Sequence, residues 1–133
     1  MANAGNDLRG LVTVSGANVG VATSGNLAIA GTATNLATSS GGATSFGVTT
    51  LTGNLSAASV GDITQTGPLI VTGTSSLVST IGDIVLTNPA NRFGGQVTAS
   101  GGDISLTATG NLNVDFTASG VTNLSNTGTH NLT

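Results

Sequence analysis

The stretch Gly61-Asp62-Ile63-Thr64-Gln65-Thr66-Gly67-Pro68-Leu69-Ile70-Val71-Thr72-Gly73-Thr74 is answered by Gly82-Asp83-Ile84-Val85-Leu86-Thr87-Asn88 and again by Gly102-Asp103-Ile104-Ser105-Leu106. The Gly-Asp-Ile triplet thus returns at Gly61, Gly82 and Gly102, and self-similarity at a near-fixed period is the mark of a repeat architecture. Inside each unit the apolar residues alternate, as in Leu69/Val71, Ile84/Leu86 and Ile104/Leu106. Alternation at a spacing of two sends one set of side chains to one face of a strand.

The same pattern extends outward in both directions. Gly-Asn-Leu recurs at Gly25, Gly53 and Gly110, with the related Gly-Pro-Leu at Gly67. Apolar pairs two apart continue at Val12/Val14, Val19/Val21, Leu27/Ile29 and Leu112/Val114. The step between neighbouring pairs, as from Val12 to Val19 to Leu27 and from Ile104 to Leu112, is the length of a short strand plus a glycine or asparagine turn. Three such strands per coil of roughly 20 residues describe an all-β parallel β-helix of about six coils, with Ile63, Ile84 and Ile104 stacked inside. Residues 1–133 form one such segment, clearest over 53–116. The Ser39-Ser40-Gly41-Gly42 run and the Asn88-Pro89 run predict loops at 38–45 and 87–95. The repeat blurs between residues 32 and 59, where the strand register stays open. A two-sheet sandwich would need longer strands and hairpins, and would leave the recurring Gly-Asp-Ile without a reason.

Composition narrows the class. Gly, Thr, Ser and Asn number 21, 23, 14 and 13, about half of the 133 residues. Glycine has no three-residue period, so collagen is excluded. No stretch free of Gly and Pro exceeds nine residues, and Lys and Glu are absent, which argues against helices. Two Lys+Arg residues, Arg9 and Arg92, are too few for a phosphate backbone, so no nucleic acid is expected. No apolar run approaches a membrane span, so no membrane insertion is expected. The start, Met1 to Asp7, lacks the charged and apolar regions of a signal peptide, and neither terminus has a distinct capping composition. The chain therefore reads as a slice of something longer, flanked by further coils, or as a subunit that stacks on identical subunits end to end.

The repeat residues resemble the repeat region of filamentous-haemagglutinin-like exoproteins of two-partner secretion in Gram-negative bacteria. The resemblance rests on the Gly61–Thr74 stretch, on Gly82–Asn88, on Asn91-Arg92-Phe93-Gly94-Gly95-Gln96-Val97 and on Gly102–Leu106, and it covers about residues 53–116. It implies a right-handed parallel β-helix, exported to the extracellular space or cell surface as part of an adhesin fibre or a toxin stalk. This chain lacks the amino-terminal secretion module of that family.

Chemistry is sparsely signalled. Asp62, Asp83 and Asp103 occupy equivalent positions and predict an outer ladder. Calcium needs six or more oxygens around one point, whereas a ladder supplies one carboxylate per coil, and repulsion at ~5 Å in water is only about 0.8 kcal/mol. Turn chemistry explains these aspartates, and no metal or cofactor is expected. Glycosidases need paired carboxylates across a cleft, and the single histidine, His130, sits three residues from the end, so no enzyme is expected. Asn91, Arg92 and Phe93 form a candidate recognition loop for a host-surface receptor or glycan, against the plainer reading of Phe93 as a core plug and Arg92 as solvated. Thr-x-Thr pairs at Thr32/Thr34, Thr50/Thr52, Thr64/Thr66, Thr72/Thr74, Thr107/Thr109 and Thr127/Thr129 raise an ice-binding surface, but their spacing is irregular. Asn26, Asn54 and Asn111, each after a glycine, predict amide ladders. The expected function is a stiff spacer or adhesive shaft of a secreted surface fibre, with a self-assembling filament protomer as the alternative.

Overall fold

A computed structural model describes Asn3, residues 5–128 and the backbone of His130–Leu132. It contains fourteen strands: β1 (Leu11–Thr23), β2 (Leu27–Ser40), β3 (Thr44–Leu51), β4 (Leu55–Ser59), β5 (Ile63–Gln65), β6 (Leu69–Val71), β7 (Ser75–Ser79), β8 (Ile84–Leu86), β9 (Arg92–Phe93), β10 (Val97–Gly101), β11 (Ile104–Ala108), β12 (Leu112–Ala118), β13 (Thr122–Asn126) and β14 (His130–Leu132). Every pairing among them is parallel. The result is an all-β parallel solenoid of about six coils.

Three ladders run along it. The first joins the starts of β1, β2 and β3 to β5, β8, β11 and β13. The second joins the middles of β1 and β2 and the end of β3 to β6 and β9. The third joins the ends of β1 and β2 to β4, β7, β10, β12 and β14. Ile63, Ile84 and Ile104 are register partners on the first ladder, each fully buried. Leu36, Leu55, Ser75, Val97 and Val114 form the matching column of the third, and Ala33, Leu51, Val71 and Phe93 that of the second. One coil cannot cover its own apolar face, so each column is buried only by stacking, at about 2 kcal/mol per large side chain.

The coil perimeter varies. The step between register partners is short near the two ends, from Leu11 to Ala28 and from Val97 to Val114. It is longer from Leu55 to Ser75 and longest from Ser75 to Val97, in the middle of the rod. This changing period blurs the repeat over residues 32–59, where Leu36 pairs with Leu55 and Thr32 with Thr50. The first two strands are also 13 and 14 residues long rather than four or five. In β2 the corner is passed at Gly31, whose φ of +134 and whose approach to the Val14 carbonyl leave no room for a Cβ.

The segment 38–45 holds only the corner Gly41–Ala43, between the last residues of β2 and the first of β3. Ser40 points inward there and bonds Thr44 Oγ1 and Ser59 Oγ at 2.8 and 2.9 Å. In the segment 87–95, the chain detours through Thr87–Ala90 and returns as β9, whose Arg92 and Phe93 pair with Ile70 and Val71.

Candidate functional site

The repeated triplets build two corners of the solenoid. Gly42, Gly61, Gly102 and Gly120 donate their N–H groups to the carbonyls of Gly25, Gly42, Gly82 and Gly102, one coil earlier in each case. Gly82 N–H instead donates to Ser79 Oγ at 3.0 Å, and that hydroxyl donates to the Gly61 carbonyl. The residue after each glycine then faces the side chain below it. Asp83 N–H donates to Asp62 Oδ1 at 2.9 Å, Asp103 N–H to Asp83 Oδ1 at 2.8 Å and Val121 N–H to Asp103 Oδ1 at 2.8 Å. Ala43 N–H uses Asn26 Oδ1 in the same way at 2.9 Å. The second corner repeats the device: Asn54 N–H donates to Asn35 Oδ1 and Thr74 N–H to Asn54 Oδ1, at 2.8 and 2.9 Å.

The glycine of the triplets at Gly53, Gly82 and Gly102 has a steric cause, whereas Gly25 and Gly110 have open space around them and Gly110 turns at φ +93. A Cβ at Gly42, Gly53, Gly73, Gly82, Gly102 or Gly120 would collide with the Oδ1 of the Asx residue one coil earlier. Gly-Asp-Ile and Gly-Asn-Leu are thus one motif. Glycine makes room, Asx satisfies the backbone N–H of the next coil, and the apolar residue enters the core. This corrects the expected amide ladder for Asn26 and Asn54, whose Oδ1 atoms serve the backbone; side-chain amides bond one another instead at Asn35 with Asn18, at 2.7 Å, and at Gln65 with Asn91. Asp62, Asp83 and Asp103 form the outer column foreseen for them, and each commits one oxygen to this bond. Among the described residues, no three His, Cys, Asp or Glu side chains converge. The His130 side chain and Thr129 lie outside the described residues.

The candidate recognition residues part company. Arg92 points to solvent, while Phe93 is 3% exposed and joins the core. Asn91 is fully buried. Its Oδ1 accepts from Leu69 N–H and Gln65 Nε2, both at 2.8 Å. Its Nδ2 donates to Gln65 Oε1, Leu86 O and Thr107 O at 2.8, 3.2 and 3.0 Å. Gln65 Oε1 in turn accepts from Asn88 N–H at 3.0 Å. The detour at Thr87–Ala90 takes backbone out of the ladder, and the Asn91 and Gln65 amides replace it.

Two further surfaces were hidden or half-hidden in the sequence. Thr23, Ser40, Ser59 and Ser79 form a buried column, and Ser59 and Ser79 donate to the corner carbonyls of Gly42 and Gly61, each at 2.8 Å. Its signal is a hydroxyl just before the corner glycine, as in Thr23-Ser24-Gly25 and Ser59-Val60-Gly61. On the second ladder the uneven coil lengths bring two threonine pairs into adjacent rungs. Thr32 pairs with Thr50, and Thr34, Thr52 and Thr72 follow in step, all exposed. Ile70 and Arg92 end this short array.

A family model of repeats of unknown function, DUF5649, matches residues 33–100, just over half of the chain. The chain belongs to the DUF5649 repeat family. No curated protein and no solved structure matches it. The DUF5649 match spans β3 to β9 and holds both corner types, Gly53-Asn54 and Gly73-Thr74 on one, Gly61-Asp62 and Gly82-Asp83 on the other.

Proposed function

We propose that this DUF5649 repeat is a shaft segment of an extracellular, rod-like bacterial surface fibre of the adhesin type. The supporting observation is the division of labour between its faces. Inward residues are committed to packing and corner bonds, and outward residues are mostly small, neutral and polar, which suits a stiff, soluble spacer. Six rungs at the inter-strand step give a rod on the order of 30 Å. The resemblance to exported exoprotein repeats supplies the location. Antibodies raised against the chain should label intact producer cells and lose the label after protease shaving. Labelling only after permeabilisation would overturn the reading.

A second reading is favoured by the threonine array: a flat hydroxyl and methyl face for ice. Thermal hysteresis that disappears in a Thr34→Lys/Thr52→Lys variant would support it, and wild-type protein without hysteresis would end it.

A further inference from the structure

The second ladder stops inside the rod. Among the described residues, β9 pairs with β6 on one side and with no strand on the other. The cause is the coil that follows, since the long step from Ser75 to Val97 gives way to the short one from Val97 to Val114. There the chain rests Thr109 N–H on the Asn91 carbonyl at 2.7 Å and Thr109 Oγ1 on the Pro89 carbonyl at 2.6 Å. It then turns at Gly110, at φ +93, directly into β12. Strands β11, β12 and β13 carry the other two ladders past this point, so the break is a step in one face of the rod.

The step leaves a notch of about 290 Å³, bounded by Ile70, Thr72, Arg92, Phe93, Thr109 and Asn111. Its floor is the uncovered edge of β9. Inward-facing residues of this solenoid direct N–H toward the following coil, as Leu27, Leu55 and Ile84 do. By the same alternation Phe93 turns its N–H and C=O into the notch, while its ring stays in the core. Arg92 stands beside this edge and is exposed. Asp7 holds Arg9 at 2.8 Å, whereas Arg92 has no ion-pair or hydrogen-bond partner among the described residues. The outward column that ends at Arg92 runs through Ser15, Thr32, Thr50 and Ile70 and contains no carboxylate.

We infer that this notch is a binding subsite for a carboxylated sugar, a hexuronate unit of an acidic polysaccharide. The unpaired Arg92 guanidinium supplies the charge and the two-pronged geometry that a carboxylate takes. A peptide strand would need a row of edge groups, and β9 is two residues long. A sugar hydroxyl both donates and accepts, so one ring can meet the Phe93 N–H and C=O together. Ile70 offers methyl groups to the C–H face of the ring, and the Thr72 and Thr109 hydroxyls stand at the rim. The volume lies at the small end of ligand clefts, which suits a single ring. The inference goes beyond the shaft reading, and its test does not depend on export.

Titrating the isotope-labelled, full 133-residue protein with digalacturonate, followed by amide NMR shifts, tests it. Saturable shifts at Phe93, Gly94 and Thr109 are expected in the millimolar range. The dimethyl ester, which keeps the rings and loses the charge, should bind at least about tenfold more weakly. Arg92→Gln should weaken digalacturonate binding by a similar factor, and Arg92→Lys, which keeps the charge without the fork, by less. Both variants should keep the wild-type circular dichroism because Arg92 is exposed. Arg9→Gln should bind as the wild type does. No saturation in the wild type, equal binding of acid and ester, or unchanged binding by Arg92→Gln would each overturn the inference. So would a tetra-aspartate peptide that shifts the same amides more strongly than digalacturonate.

Discussion

Replacing Asn91 by Asp changes one atom and tests whether a buried amide stands in for missing backbone. Asn91 is 0% exposed, and its Nδ2 faces three oxygens, on Gln65, Leu86 and Thr107. In Asn91→Ala, Leu69 N–H, Leu86 C=O, Thr107 C=O and the Gln65 amide lose a partner. At about 1 kcal/mol or more for each orphaned group, the loss is roughly 3–5 kcal/mol. Asn91→Asp keeps the shape and the acceptor for Leu69, but an ionised carboxylate has no hydrogen to offer those oxygens. Burial raises such a carboxyl by on the order of 2–3 pH units above its unfolded value of about 3.9. Its folded-state pKa then lies above the unfolded one, so the gap to wild type is smallest below about pH 4 and widens as pH rises through the folded value. The widening amounts to ~3–4 kcal/mol. Urea unfolding of wild type, Asn91→Ala and Asn91→Asp at several pH values reads this directly, and hydrogen exchange at the Leu69 amide reads it locally. A pH-independent gap for Asn91→Asp, or an Asn91→Ala within about 0.5 kcal/mol of wild type, would refute the reasoning.

The corner motif makes its own contrasts. Gly82→Ala should cost roughly 2–4 kcal/mol, since the new Cβ meets the Asp62 carboxylate and backbone, whereas Gly20→Ala, with open space around it, should be neutral or stabilising by about 0.4–1 kcal/mol; melting temperatures compare the two. Asp83→Asn should leave stability within about 0.5 kcal/mol and weaken its salt dependence, because an amide oxygen can accept the Asp103 N–H equally well, while Asp83→Ala should lose about 1 kcal/mol in the same unfolding assay. Ser75→Ala should raise stability by up to about 1 kcal/mol in chemical denaturation, since the Ser75 hydroxyl is buried between Leu55 and Val97 without a partner.

What was legible in the sequence follows from periodicity. Ile63, Ile84 and Ile104 could be stacked in advance because period-two alternation and a recurrent Gly-Asp fix both face and register at once. Residues 32–59 could not be aligned because the coil lengthens across them, from the step that joins Leu11 to Ala28 to the one that joins Leu55 to Ser75. A changing perimeter has no single period to detect. Asn91 was opaque for a different reason. In Asn88-Pro89-Ala90-Asn91 an asparagine reads as a turn residue, and nothing local reveals that the distant Leu69 N–H lacks a ladder acceptor. The threonine array shows the same limit from the other side: two of the pairs, Thr32/Thr34 and Thr50/Thr52, share adjacent rungs although their spacing in sequence matches no other step.

The Gly–Asx corner also explains why charge can vary along this rod without changing its fold. Only Oδ1 is needed to meet the next coil's N–H, and Asp and Asn both provide it, as Asp62 and Asn54 do at the two corners. The choice between them sets surface charge alone. Toward the carboxyl-terminal half the first-ladder corner is written with Asp62, Asp83 and Asp103, and toward the amino-terminal half with Asn26 and Ala43. Aspartate at every such position would build a repulsive column along the whole rod, including its first coil. Asn26 makes the same bond without a carboxylate, at a corner that already adjoins the Asp7–Arg9 ion pair. The corner chemistry therefore accounts for the fold, and the placement of charge within it can vary from coil to coil without altering the bond that holds the coils together.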